Sequence, residues 1–291
     1  MAKKSNIVSA VFWMIGALLS FSAMAVSIRE LSNVGLTIFE ILAVRSGGML
    51  IILAALIILR PDLRKHARPH RMKLNFLRNV IHYASQYAWA TSLTMLPLAM
   101  VFALEFTMPA WTALLAVWLL HERMTPSRMG VVVLGLLGVL VILRPGIQSF
   151  NPAAFLVLAA AVGYAITMIT TKQLTNTEST FSIVFWMGAI QFPISLMGSD
   201  PHAFLHLALP DMLPLLGLAI AGLSSHYCLS NAFRAGDATL VVPLDFMRIP
   251  LIAVVGWALY SEPLDVFVFL GALIIICGIF WNLRAESVRT A

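Results

Sequence analysis

Ten apolar runs, each about the length needed to cross a bilayer, constrain this chain more than any other feature. A helix rises about 1.5 Å per residue, so about 20 apolar residues cover about 30 Å of hydrocarbon. The runs lie near residues 8–28, 35–59, 74–95, 97–120, 127–145, 152–171, 180–198, 211–233, 238–260 and 264–283. The gaps between them are too short for an extramembrane domain. The first run is long enough to span and more follow it, so no cleavable signal peptide is expected. The pattern predicts an all-α membrane protein with ten transmembrane helices, and the lipid bilayer as its first partner.

Composition agrees. Of 291 residues, 60% are hydrophobic and 11% charged, and the mean hydropathy is +0.91. A soluble domain carries about 25% charge. The net charge of +6 gathers in short gaps such as RPDLRKHARPHRMK, Arg60 to Lys73. This is the distribution that orients a membrane protein, with Lys and Arg kept on the cytoplasmic side. No soluble domain remains to present a basic face, so no nucleic-acid partner is expected. With the N-terminus taken as cytoplasmic, Lys3, Lys4, the Arg60–Lys73 cluster, Arg123, Arg128, Lys172, Arg234, Arg284 and Arg289 lie inside. Only Arg29 and Arg144 fall outside. Both termini are therefore expected in the cytoplasm. The two cysteines, Cys228 and Cys277, lie in apolar runs, so no disulfide framework or thiolate metal site is expected. HExxH, GxSxG and Walker motifs are absent from the sequence, and with them the usual marks of an enzyme or of ATP-driven transport. A proton gradient or solute exchange is the simpler driving force. No cofactor, metal or catalytic residue is predicted.

The chain repeats itself. Glu105 and Asp245 stand 140 positions apart (245 − 105), and the same offset pairs Ser85 with Ser225, Tyr87 with Tyr227, Phe106 with Phe246, Glu122 with Glu262 and Gly138 with Gly278. RELSN, Arg29–Asn33, matches KQLTN, Lys172–Asn176, at an offset of 143 (172 − 29). Two five-helix units result, at 1–147 and 148–291. A copied unit with an odd number of spans inserts upside down relative to the first, so the repeats are inverted. That architecture is widespread among transporters and places the solute site near the midplane, between the halves.

Two segments carry a resemblance. LPLAMVFALEFTMPAWTALLAVWLLHERMTPSRMGVVVLGLLGV, Leu96 to Val139, is similar to the core of an EamA domain, as is GDATLVVPLDFMRIPLIAVVGWALYSEPLDVFVFLGALIIICG, Gly236 to Gly278. The chain resembles the drug/metabolite transporter superfamily in its ten-helix form with two EamA domains. The second segment resembles a bacterial group of vitamin and cofactor importers that includes riboflavin and S-adenosylmethionine carriers. The resemblance implies a secondary transporter in the bacterial inner membrane that moves a small molecule by alternating access, as monomer or homodimer. Riboflavin uptake is the leading expectation. S-adenosylmethionine uptake, or amino-acid or amine efflux, is the alternative. An intramembrane enzyme or a receptor would show no saturable solute uptake in liposomes.

Candidate site residues follow from polarity at membrane depth. An ionisable residue there marks a pathway or a partner. Glu105 and Asp245 are the first candidates. Arg45 in AVRSGG and Arg248, one turn after Asp245, supply the opposite sign. Arg45, Glu105 and Asp245 are read either as an ion-pair lock between helices or as coupling groups, and Asp245–Arg248 as the better grip on a polar solute. On the third span Tyr83, Gln86, Tyr87 and Ala90 share a face, with Trp89 beside them. On the eighth, Ser224, Tyr227 and Asn231 do so. Lipid does not suit these groups, so both faces are expected to look inward, binding solute or bonding other helices. His82 and His226 are read as packing residues, with proton relay as the alternative. Trp89, Phe102, Phe106, Trp111, Tyr164, Trp186 and Phe246 suit a flat heterocycle, or ordinary packing. The predicted substrate-binding set is Tyr83, Gln86, Tyr87, Trp89, Glu105, Trp186, Tyr227, Asn231, Asp245 and Arg248. Pro109 and Pro250 are expected to kink the fourth and ninth spans at the pocket and act as hinges. Glu122 and Glu262 are read as connectors, and Gly130, Gly135, Gly138, Gly271 and Gly278 as packing residues.

Overall fold

A computed structural model describes residues 7–120, 124–144, 151–235, 241 and 244–290. Its helices are α1 (Ile7–Asn33), α2 (Ile38–Leu59), the single turn α3 (Leu63–His66), α4 (Met72–Met95), α5 (Leu98–Glu105), α6 (Met108–Leu120), α7 (Pro126–Leu143), α8 (Ala153–Leu174), α9 (Thr180–Leu196), α10 (Met212–Ala235), α11 (Arg248–Tyr260) and α12 (Val266–Thr290). Two short 3₁₀ turns, Pro201–His206 and Leu209–Asp211, lead into α10. The described residues place helix in each of the ten expected runs. Seven stretches are both long and apolar enough to span, and α9 and α11 are shorter apolar helices. The polar helix α4 runs 24 residues, about 36 Å. Its polar face is buried, which is how so polar a helix lies at membrane depth.

Local chemistry sets the helix ends. Thr37 and Glu40 form a capping box at the start of α2. Thr125 accepts from the Arg128 amide and Pro126 takes the first position of α7, where its missing N–H costs nothing. Ser179 caps α9 by accepting from Ser182.

The fourth span differs from expectation. It is not one kinked helix but two, α5 and α6, separated by a turn at Phe106–Thr107. An equivalent turn at Phe246–Met247 precedes α11. Both turns stand upstream of their prolines, with Pro109 second in α6 and Pro250 third in α11. A proline ring clashes with the carbonyl four residues earlier and disfavours helix at the residue before it. The ladder therefore breaks upstream, and each proline falls in a first turn, where it is tolerated.

Packing follows an approximate two-fold axis. The most extensive contacts are α1 with α10, α7 with α12, α4 with α8, and α2 with α9. In span order these are first with eighth, fifth with tenth, third with sixth, and second with seventh. Exchanging the repeats converts first–eighth into sixth–third and maps the other two onto themselves. Every major interface thus joins one repeat to the other. At the α7–α12 crossing the two backbones come close together. A Cβ added at Gly138 would lie 2.6 Å from the Gly271 carbonyl oxygen, and one at Gly271 would lie 2.6 Å from that of Gly138. Small residues at such crossings let backbones meet.

On the face carrying the α8–α9 connection, Glu178 pins the chain entering α4. Its carboxylate accepts from the amides of His70 (3.1 Å) and Arg71 (2.9 Å), from Asn75 (2.7 Å) and from Ser182 (2.7 Å). Burial alone would push this carboxyl up, but the four donors together hold it below its ordinary value.

Gly138→Ala is expected to lower stability by about 1–3 kcal/mol, because the added methyl meets the Gly271 carbonyl, which cannot yield without separating the helices. Thermal unfolding in detergent checks this. Glu178 contributes fully above its unfolded pKa, and the contribution is lost as pH falls through the lower folded value. Glu178→Gln is expected to cost about 1–3 kcal/mol at neutral pH and to flatten the acid side of the stability profile.

Candidate functional site

The two helix breaks meet at the centre of the bundle. Glu105 is the last residue of α5 and Arg248 the first of α11. Each sits at the helix end whose dipole disfavours its charge, so each needs a partner. Arg248 supplies one to both acids. Its guanidinium bonds Asp245 and lies 3.6 Å from Glu105. The other Glu105 oxygen accepts from the Trp89 indole at 2.8 Å. Arg248 is 4% exposed, while Glu105 and Asp245 keep about a fifth of their side-chain surface open, at 22% and 19%. The acids, not the arginine, are the accessible side of the cluster.

Aromatic rings close around it. The Arg248 guanidinium lies 3.8 Å from the Phe21 ring centre, 5.4 Å from that of Phe106 and 5.8 Å from that of Phe102. Trp89 stands edge-on to Phe102. Phe106 and Phe246, equivalent in the two repeats, touch with ring centres 4.4 Å apart. The repeat axis therefore passes between them.

A polar column runs from this centre along α4. Gln86, one turn before Trp89, accepts from the Tyr164 hydroxyl at 3.2 Å. His82, one turn further, has its Nδ1 2.9 Å from Gln191 Nε2. Gln191 Oε1 accepts from Arg45 at 3.5 Å. Next along the face, Arg78 donates to Thr171 at 2.7 Å and to Asn79 at 2.9 Å.

Of the predicted residues, the structure thus gathers Trp89, Glu105, Asp245 and Arg248, with Gln86 and the buried Tyr83 on the same helix. Tyr87 is half-buried and packs on Phe39, ring centres 4.9 Å apart. Arg45 stands apart from Glu105, Asp245 and Arg248, against Gln191. Trp186 lies away from the centre, its indole donating to the Ala67 carbonyl at 2.9 Å. On α10, Tyr227 is not gathered into this centre. It is 59% exposed, in line with Leu213, Leu216 and Ile220, and packs edge-on to Trp13. Asn231 donates to the Tyr227 carbonyl at 2.9 Å rather than reaching the centre. Helical spacing puts Ser224, Tyr227 and Asn231 on one stripe, but only the neighbouring helices decide what that stripe faces. Sequence reasoning missed Gln191 and Arg78. A single Gln inside the apolar AIQFP stretch was the available signal for the first. Among the described residues, no cluster of three His, Cys, Asp or Glu is placed to hold a metal.

Removing Arg248 alone leaves two acids facing each other without a counter-charge. Arg248→Ala is expected to cost about 3–5 kcal/mol. Glu105→Gln keeps an acceptor for Trp89 and leaves Arg248 with Asp245, so it is expected to stay within about 1 kcal/mol of the parent. Thermal unfolding of the two purified variants checks the contrast.

Known proteins share this architecture. The profile of the EamA-like transporter family matches residues 8–144 and again 151–284. An S-adenosylmethionine uptake transporter of Rickettsia prowazekii is 27% identical over 226 residues, 77% of this chain and 74% of its own. A riboflavin transporter of Rhizobium johnstonii is 28% identical over 225 residues, 76% of this chain and 74% of its own. A solved crystal structure covering 97% of this chain and 99% of its own superposes with a TM-score of 0.59 at 17% identity, a likeness of fold. Two matches that together span nearly the whole chain, on a bundle of interlocked repeats, make this multi-pass membrane protein a member of the EamA-like transporter family.

Proposed function

We propose that the chain takes up a cofactor-sized metabolite built on a flat heterocycle across a bacterial inner membrane, with riboflavin as the first solute to test. The observation that carries this reading is the aromatic enclosure of the charged centre by Phe21, Phe102, Phe106, Phe246 and Trp89. A fused ring stacks on such walls while a few polar groups orient it. The relative from Rhizobium johnstonii supports the choice. S-adenosylmethionine is the second reading. Its adenine is also flat, it carries charges of both signs as the membrane interior of this chain does, and the relative from Rickettsia prowazekii is named for it.

In this reading the units 1–147 and 148–291 supply two-fold-related gates that open alternately, with both termini cytoplasmic and a proton or counter-solute as the driving force. The paired charges on one face support it. Arg29 pairs with Glu262 and donates to the Leu96 carbonyl at 2.6 Å, Glu262 accepts from the Leu98 amide at 2.8 Å, and Tyr260 donates to Glu30 at 2.6 Å. Arg144 pairs with Asp265 on the same face. The repeat mates of Arg29 and Glu262 are Lys172 and Glu122. Lys172 is exposed here, and Glu122 lies outside the described residues.

Uptake of radiolabelled riboflavin in a riboflavin-auxotrophic bacterium lacking its own importer tests the reading. Saturable uptake and rescued growth are expected. Replacing Phe106 and Phe246 together by Ala is expected to cut uptake about tenfold, the equivalent of about 1.4 kcal/mol of stacking. No uptake, with the chain present in the membrane, retires riboflavin and moves the test to S-adenosylmethionine.

A further inference from the structure

Arg45 is a membrane charge that the central cluster does not neutralise. It is 1% exposed. Its Nη1 reaches Gln191 at 3.5 Å, the limit of a hydrogen bond, while Nε and Nη2 have no partner. None of the ion pairs among the described residues involves it. The titratable groups that interact with it are Tyr164, His82 and His226, none of them a carboxylate, and Tyr164 stands between it and Glu105 in interacting with both. On the same polar face, Gln86 Nε2 is also buried without an acceptor. The fold makes room for this arginine, since a Cβ at Gly222 of α10 would lie 2.9 Å from Arg45 Cγ.

A buried guanidinium without a counter-charge is costly unless another state of the protein supplies one. The pattern of open donors says what that partner is. Nε and Nη2 form one edge of the guanidinium plane, and that edge matches the two oxygens of a carboxylate in a bidentate pair. Gln191 holds Nη1, on the other side, and so fixes which edge is offered.

We infer that Arg45 is a carboxylate-binding subsite of the transport pathway, presenting its Nε–Nη2 edge to a carboxylate of the solute with Gln86 Nε2 as a further donor. From His82, which shares Gln191 with Arg45, to Trp89, which holds Glu105, is seven residues of α4, about 10 Å. A solute with a carboxylate at Arg45 and a cationic portion toward Glu105 and Asp245 satisfies both ends. S-adenosylmethionine has both features and riboflavin has no carboxylate, so the subsite separates the two solutes named above. The inference rests on reading this interior as a solute pathway.

The test uses the full chain in lipid nanodiscs, with thermal unfolding read against S-adenosylmethionine, its decarboxylated form and riboflavin. S-adenosylmethionine is expected to stabilise the protein at concentrations at least about tenfold lower than the decarboxylated form, the loss of one bidentate pair. Arg45→Met is expected to raise the melting temperature of the empty protein, because it removes an unpaired buried charge, and to abolish the difference between the two forms. Arg45→Lys keeps the charge without the fork and is expected to retain only part of that difference. Equal response to both forms, or no response to S-adenosylmethionine, overturns the subsite. So does an Arg45→Met variant less stable than the parent when empty, which marks a structural anchor. Counterflow in proteoliposomes separates this from the transport reading. Saturable S-adenosylmethionine counterflow that ignores Arg45→Met overturns the subsite and leaves transport standing. Arg45-dependent S-adenosylmethionine binding without counterflow of any solute leaves the subsite standing and overturns transport.

Discussion

In hydrocarbon, a backbone N–H or carbonyl without a partner costs several kcal/mol, so irregular chain survives at membrane depth only inside protein. This chain interrupts two helices there, at Phe106–Thr107 and Phe246–Met247. Tightened local bonds satisfy the first turn. The Thr107 amide and hydroxyl both reach the Leu104 carbonyl, at 3.1 Å and 2.7 Å, and the Ala110 amide takes the Thr107 carbonyl at 2.9 Å. At the second, the Met247 amide reaches Leu244 and the Ile249 amide reaches Phe246, each at 3.1 Å. The rest of the architecture protects these two turns. They lie where the repeats meet, and each is walled by the aromatic ring of the other.

The breaks also explain where the charges sit. A helix end inside a membrane brings a partial charge with it, and Glu105 and Arg248 each occupy the unfavourable end. They are stable there because one arginine is shared by two acids and the Trp89 indole holds the remaining oxygen. The sharing is asymmetric in sequence, since the first repeat has Met108 where the second has Arg248. An inverted repeat that kept two arginines would place four charges on one axis. With one, the centre keeps an excess of acid, and the excess of base stands a few turns away at Arg45 and Arg78.

Helix α4 connects these poles. It carries Arg78, Asn79, His82, Gln86 and Trp89 on buried surface, and α2, α8 and α9 enclose it. Arg78, His82, Gln86 and Trp89 each make a side-chain hydrogen bond to a neighbouring helix. Gln86 Nε2 and, on α2, the Nε–Nη2 edge of Arg45 are left open, and Gln191 steers Arg45 without filling that edge.

The number of passes, the duplication and the inversion were legible in the sequence, because about 20 apolar residues have one stable use in a membrane and an odd-numbered copy has one way to insert. Glu105, Asp245 and Arg248 stood out in the sequence because a charge at membrane depth is costly, and Trp89 because it adjoins the polar face of the third span. Three matters belonged to the tertiary structure. The helix breaks fall before Pro109 and Pro250 because the ring clashes backward, and the two turns close only against each other. Tyr227 lies in an exposed stripe while its mate Tyr87 packs on Phe39, because spacing defines a stripe and neighbours define its surroundings. Glu105 and Asp245 share Arg248 while Arg45 is left with an open edge. Charge and depth alone allow any pairing among the four, and only the positions of α2, α5 and α11 decide which charges come within reach.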